Sequence, residues 1–281
     1  MPLLYPVAAA VLQAASQTID KVTLNVKRVT YKVYNVISFP LIFFFTLIAF
    51  LIFRPALSMS QFTTLNTILI TAAIVLGVIT NAIYYKALKN DKLSEMQAIG
   101  LLSKIPLIIF AGIFFIEERN YITMILASIA ALSLIWSHWE RHHFHVAKRT
   151  WPFLIWVLIV SPFGGIIAKE LLKTFNPISL HLVTSFFQAI IFFSIYRKNL
   201  KSVPKKAVAL LLLTNLLTSA AWILQYFSYQ ISGIVFTVLI LSLQPLLIYF
   251  TSIFYLKEKP NKKKIISFII ILLAIITSQI I

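Results

Sequence analysis

Ten long apolar runs, separated by short polar breaks, constrain this chain more than any other feature of its sequence. A helix needs roughly 20 mostly apolar residues to cross the ~30 Å hydrocarbon layer of a bilayer. The runs are continuously apolar instead of alternating at a period of two, which favours helices and excludes a barrel. The predicted spans are 3–22, 33–53, 64–86, 94–116, 121–137, 151–172, 177–196, 205–228, 232–256 and 263–281.

The composition agrees with a membrane location. Of the 281 residues, 60% are hydrophobic and only 12% are charged, whereas a soluble domain carries roughly a quarter charged residues. A chain of this size cannot bury so much apolar surface in one core, so lipid is the solvent that fits. No polar break is long enough for a soluble domain, since the longest covers residues 138–150. We therefore predict an all-α, multi-pass membrane protein in a bacterial-type plasma (inner) membrane.

The first span is the most polar of the ten. Its second half carries Gln13, Ser16, Gln17, Thr18 and Asp20. A helix with these side chains cannot face lipid all round, so we expect its polar half to face the interior of the bundle.

The basic residues carry information about topology. A formal net charge of +17 would suggest a nucleic-acid partner for a soluble protein. Here the basic residues lie between apolar runs, which is typical of a topology signal, and no nucleic-acid partner is predicted. Along ten spans, the odd-numbered connections carry 20 of the 25 Lys and Arg residues and the even ones carry 4. Because basic segments resist translocation, this bias predicts cytoplasmic odd connections and both termini outside.

Residue patterns for common chemistries are missing. The chain has no Cys, which excludes disulfides, thiolate nucleophiles and Cys-based metal sites. It contains no Walker A, GxSxG or HExxH pattern, so we predict no catalytic residues and no cofactor. A His-rich connection is compatible with a metal site, but a wet, basic interface suits these residues better and no metal is predicted. Its histidines are His138, His142, His143 and His145.

Two stretches of the sequence resemble each other in their charged landmarks. Residues 107–120 read LIIFAGIFFIEERN and residues 246–261 read LLIYFTSIFYLKEKPN, which aligns Glu118 with Glu258. Each Glu opens the turn before a further apolar run, so we predict that it caps or electrostatically compensates the N-terminus of the next span.

A second pair of similar stretches supports an internal duplication. NAIYYKAL resembles WILQYFSY and aligns Tyr85 with Tyr226. The offset stays near 140–148 residues, which predicts five-helix halves at 1–137 and 151–281 joined by the connection 138–150. An odd number of spans per half inverts the second half in the membrane. Inverted repeats with a site between them are a recurrent transporter design.

The repeated stretches resemble the EamA domain of the drug/metabolite transporter superfamily, and the resemblance covers essentially the whole chain. That family has a tyrosine region ending its third helix, a Pro in its fourth and a Glu before its fifth, as Tyr85, Pro106 and Glu118 are placed here. Lys21 and Lys169 fall where the family often has a Lys closing its first helix. The resemblance implies a basket of ten helices whose central cavity carries small organic metabolites.

The chain also departs from the family pattern. The family usually has Gly after the Glu, where this chain has Ser128 and Ser267, and often has Trp-Gly near Leu12 and Gln13. These departures leave the subfamily and the substrate open. The family is usually described with both termini inside, which disagrees with the distribution of basic residues.

Three lysines are candidate binding residues. Lys104 lies near the middle of the predicted fourth span, where a Lys costs roughly 3 kcal/mol and should face a cavity or a partner. It could hold an anionic substrate group or act in proton-linked transport; in a shifted span it would snorkel or pair with an acidic residue. Lys21 and Lys169 lie beside carboxylates, and either line the mouth of the cavity or, alternatively, snorkel or form local ion pairs.

Polar and amphipathic side chains within the spans form a second group of candidates. Trp222, Gln225 and Tyr226 lie within about one helical turn and can share a face that suits a small organic molecule. Helix–helix hydrogen bonding and an interfacial aromatic belt are the alternatives. The whole group is Asn81, Tyr84, Tyr85, Asn215, Trp222, Gln225, Tyr226 and Gln244.

The sequence thus predicts a secondary transporter, not an enzyme, that moves a small organic metabolite by alternating access between two halves. We expect the substrate to carry an anionic group, with protons as a conceivable coupling ion. Two alternatives stay open here: a non-transporting membrane scaffold or receptor-like subunit, and an integral membrane enzyme that modifies lipid. The enzyme would need clustered polar groups at one interface, and the His-rich connection offers no carboxylate beyond Glu140.

Overall fold

A computed structural model describes residues 3–91, 93, 96, 100, 103–138, 150–200, 203–249 and 262–280. Every regular element of these residues is helical, as predicted. The helices of the first predicted half are α1 Leu4–Asn25, α2 Tyr31–Phe53, α3 Thr64–Asn90, α4 Lys104–Phe114 and α5 Tyr121–His138.

The second predicted half contains six described helices of very different length. They are α6 Trp151–Ile159, α7 Ser161–Leu171, α8 Pro177–Tyr196, α9 Lys205–Ser232, α10 Ile234–Leu241 and α11 Lys262–Ile280. A single residue, Gly233, separates α9 from α10, and its φ of +85° lies in a region that glycine adopts without a steric penalty.

Within the described residues, five helices are long and apolar enough to cross a membrane, judged by length and composition. They are Tyr31–Phe53, Thr64–Asn90, Pro177–Asn199, Lys205–Ser232 and Lys262–Ile280. The pair α6 and α7 forms a sixth if it is one broken span. Shorter apolar helices cover Lys104–Phe114, Tyr121–Ser137 and Ile234–Tyr249. The chain is therefore an all-helical membrane protein, while ten spans in two inverted repeats stay a prediction.

Two predicted spans are interrupted in the structure. The run 151–172 bends by 40° between α6 and α7, because Pro162 follows the break and has no N–H to continue the helical ladder. The run 232–256 ends its first helix at Leu241, and a turn at 242–243 precedes a further helical stretch at 244–249. Such breaks leave the apolar content of a run unchanged, so hydropathy alone did not indicate them.

Helices of one predicted half pack mainly against helices of the other. The helix α1 lies along α9, α2 lies along α8, and α5 lies along α11. The helix α3 packs on α7 and α8, and α2 also packs on α9. One buried apolar cluster includes Ile108 and Leu134 from the first half together with Leu171 and Val238 from the second.

Large apolar side chains cover the outside of the bundle. At the end of α2, Leu51, Ile52 and Phe53 are 61%, 68% and 71% exposed. Similar exposure occurs on α4, α5, α8 and α11, for example at Ile113, Ile125, Ile195 and Leu273. An apolar surface of this extent marks contact with a nonaqueous environment, which for a chain of this composition is lipid.

The connections gather at two opposite ends of the bundle. At one, here called the Lys21 end, the Lys21 ammonium donates to the carbonyls of Leu88 and Asp91 at 2.7 and 2.6 Å, and the Thr150 hydroxyl donates to the Asp91 carboxylate.

At the opposite end of the bundle, here called the Lys169 end, the Lys169 ammonium lies 3.4 Å from the Glu118 carboxylate. The Gln61 side chain donates to the Thr174 carbonyl at 2.9 Å at the same end. The two ends therefore collect different connections, as a bundle of alternating helices requires.

Candidate functional site

A cavity of about 260 Å³ lies inside the bundle between the two predicted halves. Helices α2, α3 and α4 line it from the first half, and α7, α8 and α9 line it from the second. Its polar and aromatic lining residues are Phe39, Thr80, Asn81, Tyr85, Ser103, Lys104, Ser161, His181, Thr184, Gln188, Thr218, Trp222, Gln225, Tyr226 and Tyr229. Six predicted binding residues are therefore brought together here: Asn81, Tyr85, Lys104, Trp222, Gln225 and Tyr226.

Lys104 brings a cationic group to this cavity. It is the first residue of α4 and follows a turn at Ser103, so it does not occupy the middle of a continuous helix as its sequence position predicted. The side chain is half-buried, and the ion pairs among the described residues, Lys169–Glu118 and Lys173–Glu170, do not involve it. The described lining contains no carboxylate. The positive end of the α4 dipole adds to the potential of the ammonium, so this corner favours an anion.

Aromatic rings also line the cavity. The Trp222 and Tyr226 rings lie 5.8 Å apart, and the Tyr226 ring meets the His181 ring edge to face at 6.0 Å. His181 is 7% exposed, and its Nε2 atom has no hydrogen-bond partner within the described structure. A buried polar atom without a partner is unfavourable, and His181 is one of the residues that line the cavity.

Three amide side chains complete the polar lining. Asn81 donates to the Gly77 carbonyl of its own helix at 2.8 Å. Gln225 accepts from Gln13 at 2.6 Å and donates to the Tyr229 hydroxyl at 2.9 Å. Gln188 packs against Gly77, where a Cβ atom would lie 2.1 Å from its Nε2 atom. The glycine therefore makes room for this amide at the wall of the cavity.

The other predicted binding residues lie outside the cavity lining. The Tyr84 ring packs against Tyr85 and Phe153, at centroid distances of 5.0 and 5.7 Å. Gln244 is buried and donates to Gln17 at 2.7 Å. Asn215 donates to the Ser38 hydroxyl at 3.2 Å and to a backbone carbonyl of its own helix. These residues join helices, which is the alternative that the sequence left open. The His138 side chain and His142, His143 and His145 fall outside the described residues.

Lys21 and Lys169 anchor helix ends and do not line the cavity. The Lys169 ammonium donates to the Tyr229 carbonyl at 2.7 Å and pairs with Glu118. The adjacent carboxylate, Glu170, pairs with Lys173 instead. Local ion pairing was an alternative left open for these lysines, and Lys169 pairs with Glu118 instead of its sequence neighbour because adjacent residues on a helix point in different directions.

Glu118 caps a helix, but not the one that the sequence suggested. Its carboxylate accepts from the backbone N–H groups of Ile234 and Val235 at 2.7 and 3.0 Å, at the start of α10. The next helix in sequence, α5, is capped by Asn120, which accepts from Thr123 N–H at 3.0 Å. Glu118 therefore connects the first half to the second, a role that only the tertiary structure shows. Its counterpart Glu258 falls outside the described residues.

Several residues that line the cavity were not predicted from the sequence. His181 is the most instructive, because it lies within the predicted span 177–196 and is an ionisable residue at membrane depth. Like Lys104, such a residue is expected to face a cavity or a partner, so His181 could have been predicted in the same way. Gln188 and Thr184 on the same helix carried no comparable signal, since single polar residues often serve helix packing.

Comparison with known proteins supports the family resemblance. Residues 149–278 match the family model of the EamA-like transporter family. The predicted resemblance to the EamA-like transporter family is therefore confirmed on this part of the chain. No curated protein matches the chain.

A solved structure described as "Crystal structure of protein" aligns with 98% of this chain and 95% of its own length. Its TM-score is 0.72 at 12% sequence identity. At this identity the likeness concerns the fold alone, and it extends over both predicted halves.

Proposed function

We propose that the protein is a secondary transporter that moves a small organic metabolite with an anionic group across a plasma membrane of the bacterial type. The observation that carries this proposal is the cavity between the halves, which is lined by Lys104 together with His181, Trp222 and Tyr226. A cation and aromatic rings in one cavity match a carboxylate joined to an organic body. The cavity volume, about 260 Å³, suits a small metabolite.

Alternating access is the mechanism that this arrangement favours. The cavity is lined from both halves, so a relative movement of the halves changes the end at which it opens. Backbone anchors support the inverted repeat: Lys21 donates to the Leu88 carbonyl, and Lys169 donates to the Tyr229 carbonyl. Leu88 and Tyr229 each lie three residues after the aligned Tyr85 and Tyr226. The same contact thus recurs in the two halves, as a duplicated unit would provide.

Uptake into proteoliposomes tests the proposal. A panel of labelled carboxylates, amino acids, organic phosphates and cationic amines is offered to the purified protein, with protein-free vesicles as the blank. We expect a carboxylate or phosphate to be carried. Transport of cationic amines alone, or of nothing in the panel, would contradict the proposal.

Lys104→Gln is the decisive variant for the role of the ammonium. A charge-assisted hydrogen bond contributes about 1.5–3 kcal/mol, so we expect the substrate concentration for half-maximal uptake to rise at least about tenfold. Lys86→Gln is the matched control, because Lys86 is exposed at the end of α3 and outside the cavity lining. Equal uptake by both variants would exclude Lys104 from the substrate site.

The orientation of the bundle belongs to the same proposal. Because basic connections resist translocation, we expect the Lys21 end in the cytoplasm and both termini outside. A fluorescent protein fused after α11 folds in the cytoplasm but not after export through the general secretory route. We expect no fluorescence, and bright cells would reverse the orientation.

A further inference from the structure

A buried carboxylate lies outside the cavity, on α1. Asp20 is 2% exposed and lies where α1 meets α2, α3 and α9. The Tyr34 hydroxyl donates to its Oδ1 atom, and the Thr214 hydroxyl lies 2.5 Å from the same atom. The Tyr85 hydroxyl also lies against this carboxylate.

The contacts of Thr214 bear on the protonation state of Asp20. The Thr214 Oγ1 atom lies 3.0 Å from the Ser16 carbonyl oxygen as well as 2.5 Å from Asp20 Oδ1. A hydroxyl has one proton to donate, and a carbonyl has none. Both contacts are full hydrogen bonds only if Asp20 carries a proton and donates to Thr214 while Thr214 donates to Ser16. When Asp20 is ionised, Thr214 must turn its proton to the carboxylate and release the carbonyl.

Asp20 takes part in neither of the ion pairs Lys169–Glu118 and Lys173–Glu170 that the described residues form. The titratable groups that face it are Tyr34 on α2 and Tyr84 and Tyr85 on α3, while α9 presents Thr214.

These neighbours present hydroxyl groups, which can accept a hydrogen bond from a protonated Asp20 or donate one to an ionised Asp20. The contact of 2.5 Å between the Thr214 and Asp20 oxygens lies within the range of an O–H···O hydrogen bond, which is a proton-mediated contact.

The position of Asp20 links it to the cavity and to both halves. Tyr85 lies against Asp20 and also lines the cavity. Thr214 belongs to the second half, so the Asp20–Thr214 contact joins the halves. A change at Asp20 can therefore alter the contact between α1 and α9 and, through Tyr85, the cavity wall.

We propose that Asp20 is a proton-binding site that couples proton movement to the exchange between the two open forms of the transporter. The inference rests on the proposed transport function. A proton adds to one carboxylate oxygen, forming an O–H bond and a neutral acid, and the reverse step returns it to water as the halves separate. Protonation allows two hydrogen bonds through Thr214, with Asp20 and with the Ser16 carbonyl, and ionisation leaves only the one to Asp20, so the protonation state changes the α1–α9 contact.

A labelling experiment tests this without any substrate, using the absence of native Cys. Ser161→Cys places one thiol in the cavity wall. Its reaction rate with a membrane-impermeant maleimide is measured in proteoliposomes across mildly acidic to mildly alkaline pH. The rate is divided by that of Met59→Cys, which is 88% exposed and reports the intrinsic reactivity of the thiol.

We expect the normalised rate to change several-fold with pH in Ser161→Cys, and to be independent of pH when Asp20→Asn is added. The matched control adds Glu117→Gln, an exposed carboxylate in the α4–α5 turn, and keeps the pH dependence. The same pH dependence in the Asp20→Asn background, or none in Ser161→Cys itself, would overturn the proposal. Since no transported molecule is needed, these results are independent of whether the metabolite panel succeeds.

Tyr34→Phe provides a second test if Asp20→Asn fails to fold. It keeps the carboxyl group but removes one donor to its ionised form. We expect the labelling rate to remain pH-dependent with its midpoint moved to higher pH. An unchanged midpoint would show that the titrating group is not Asp20.

Discussion

The Lys169 end and the Lys21 end of the bundle share an anchor but join the halves differently. In both, a Lys near the end of the first predicted span of a half donates to a backbone carbonyl near the end of the third. Lys169 donates to Tyr229 on α9, and Lys21 donates to Leu88 on α3. At the Lys169 end, the contact between halves is ionic, from Glu118 to Lys169 and to the N-terminus of α10. Near the Lys21 end, it is the contact of Asp20 with Thr214.

The Lys169–Glu118 contact joins two charged groups, whereas the Asp20–Thr214 contact is the one that we propose to change when a single proton binds. The Lys169 and Glu118 side chains are 11% and 4% exposed, so removing either partner leaves a charge in a poorly hydrated place. Asp20 instead has neutral hydroxyl partners that can reorient. The comparison teaches that an inverted repeat can keep its backbone anchors while each end acquires its own link between halves.

The largest effect is expected from Glu118→Gln. The change leaves the Lys169 ammonium without its ionic partner and weakens the cap of α10, so we expect a loss of about 3–5 kcal/mol in the free energy of unfolding. Denaturant titration in detergent micelles measures it.

Glu170→Gln is the matched control for Glu118→Gln, because the Lys173–Glu170 pair is 50% and 38% exposed. An exposed pair contributes about 0–1 kcal/mol. If both variants lost the same stability, the Lys169 end would not be held by its buried charge pair.

A smaller effect is expected from Gly233→Ala at the same end. The residue has φ +85° and ψ 167°, a conformation that costs about 1–3 kcal/mol for other residues. A Cβ atom would also lie 2.7 Å from the Glu118 carboxylate oxygens. We expect lower thermal stability and a weakened Glu118 contact.

Gly164→Ala is the control for this glycine, since a Cβ atom there meets nothing within 4 Å. Helical Gly→Ala changes are neutral or stabilising. Equal melting temperatures of the two variants would show that Glu118 does not need the space that Gly233 leaves.

The smallest of these effects is expected from Thr214→Val, near the Lys21 end. The change keeps the shape of the side chain but removes one hydroxyl partner of Asp20, so we expect a loss of about 1 kcal/mol in the free energy of unfolding. Thr71→Val is the control, because Thr71 is exposed and bonds only within its own helix. A loss as large as that of Glu118→Gln would remove the proposed contrast between the two ends.

Much of the fold follows from the sequence because lipid imposes one simple requirement on a chain. Backbone groups without water must pair within the segment, so each apolar run such as 33–53 or 177–196 predicts a helix, and the structure has α2 and α8 there. The polar half of the first span also predicts its own position, since Gln13 and Gln17 bond to Gln225 and Gln244 inside the bundle.

A residue of the cavity could be predicted from the sequence only where burying its polar group costs much free energy. Lys104 stood out because a cation in an apolar run needs a special environment, and it does line the cavity. Tyr84 and Tyr85 are neighbours of one type, and only Tyr85 lines the cavity. Successive residues of a helix point about 100° apart, so the choice between them depends on the rotation of α3 against its neighbours.

The sequence by itself therefore determined the membrane environment, the helical class, the EamA-like resemblance and the expectation that Lys104 lies at a cavity. These follow from hydropathy and the energy of burying charge, which depend on residue type. Only the tertiary structure decided that Glu118 caps α10 instead of α5, and that Asp20 meets Thr214 across the halves. Such contacts join residues more than 100 positions apart, and their geometry depends on the positions and rotations of whole helices.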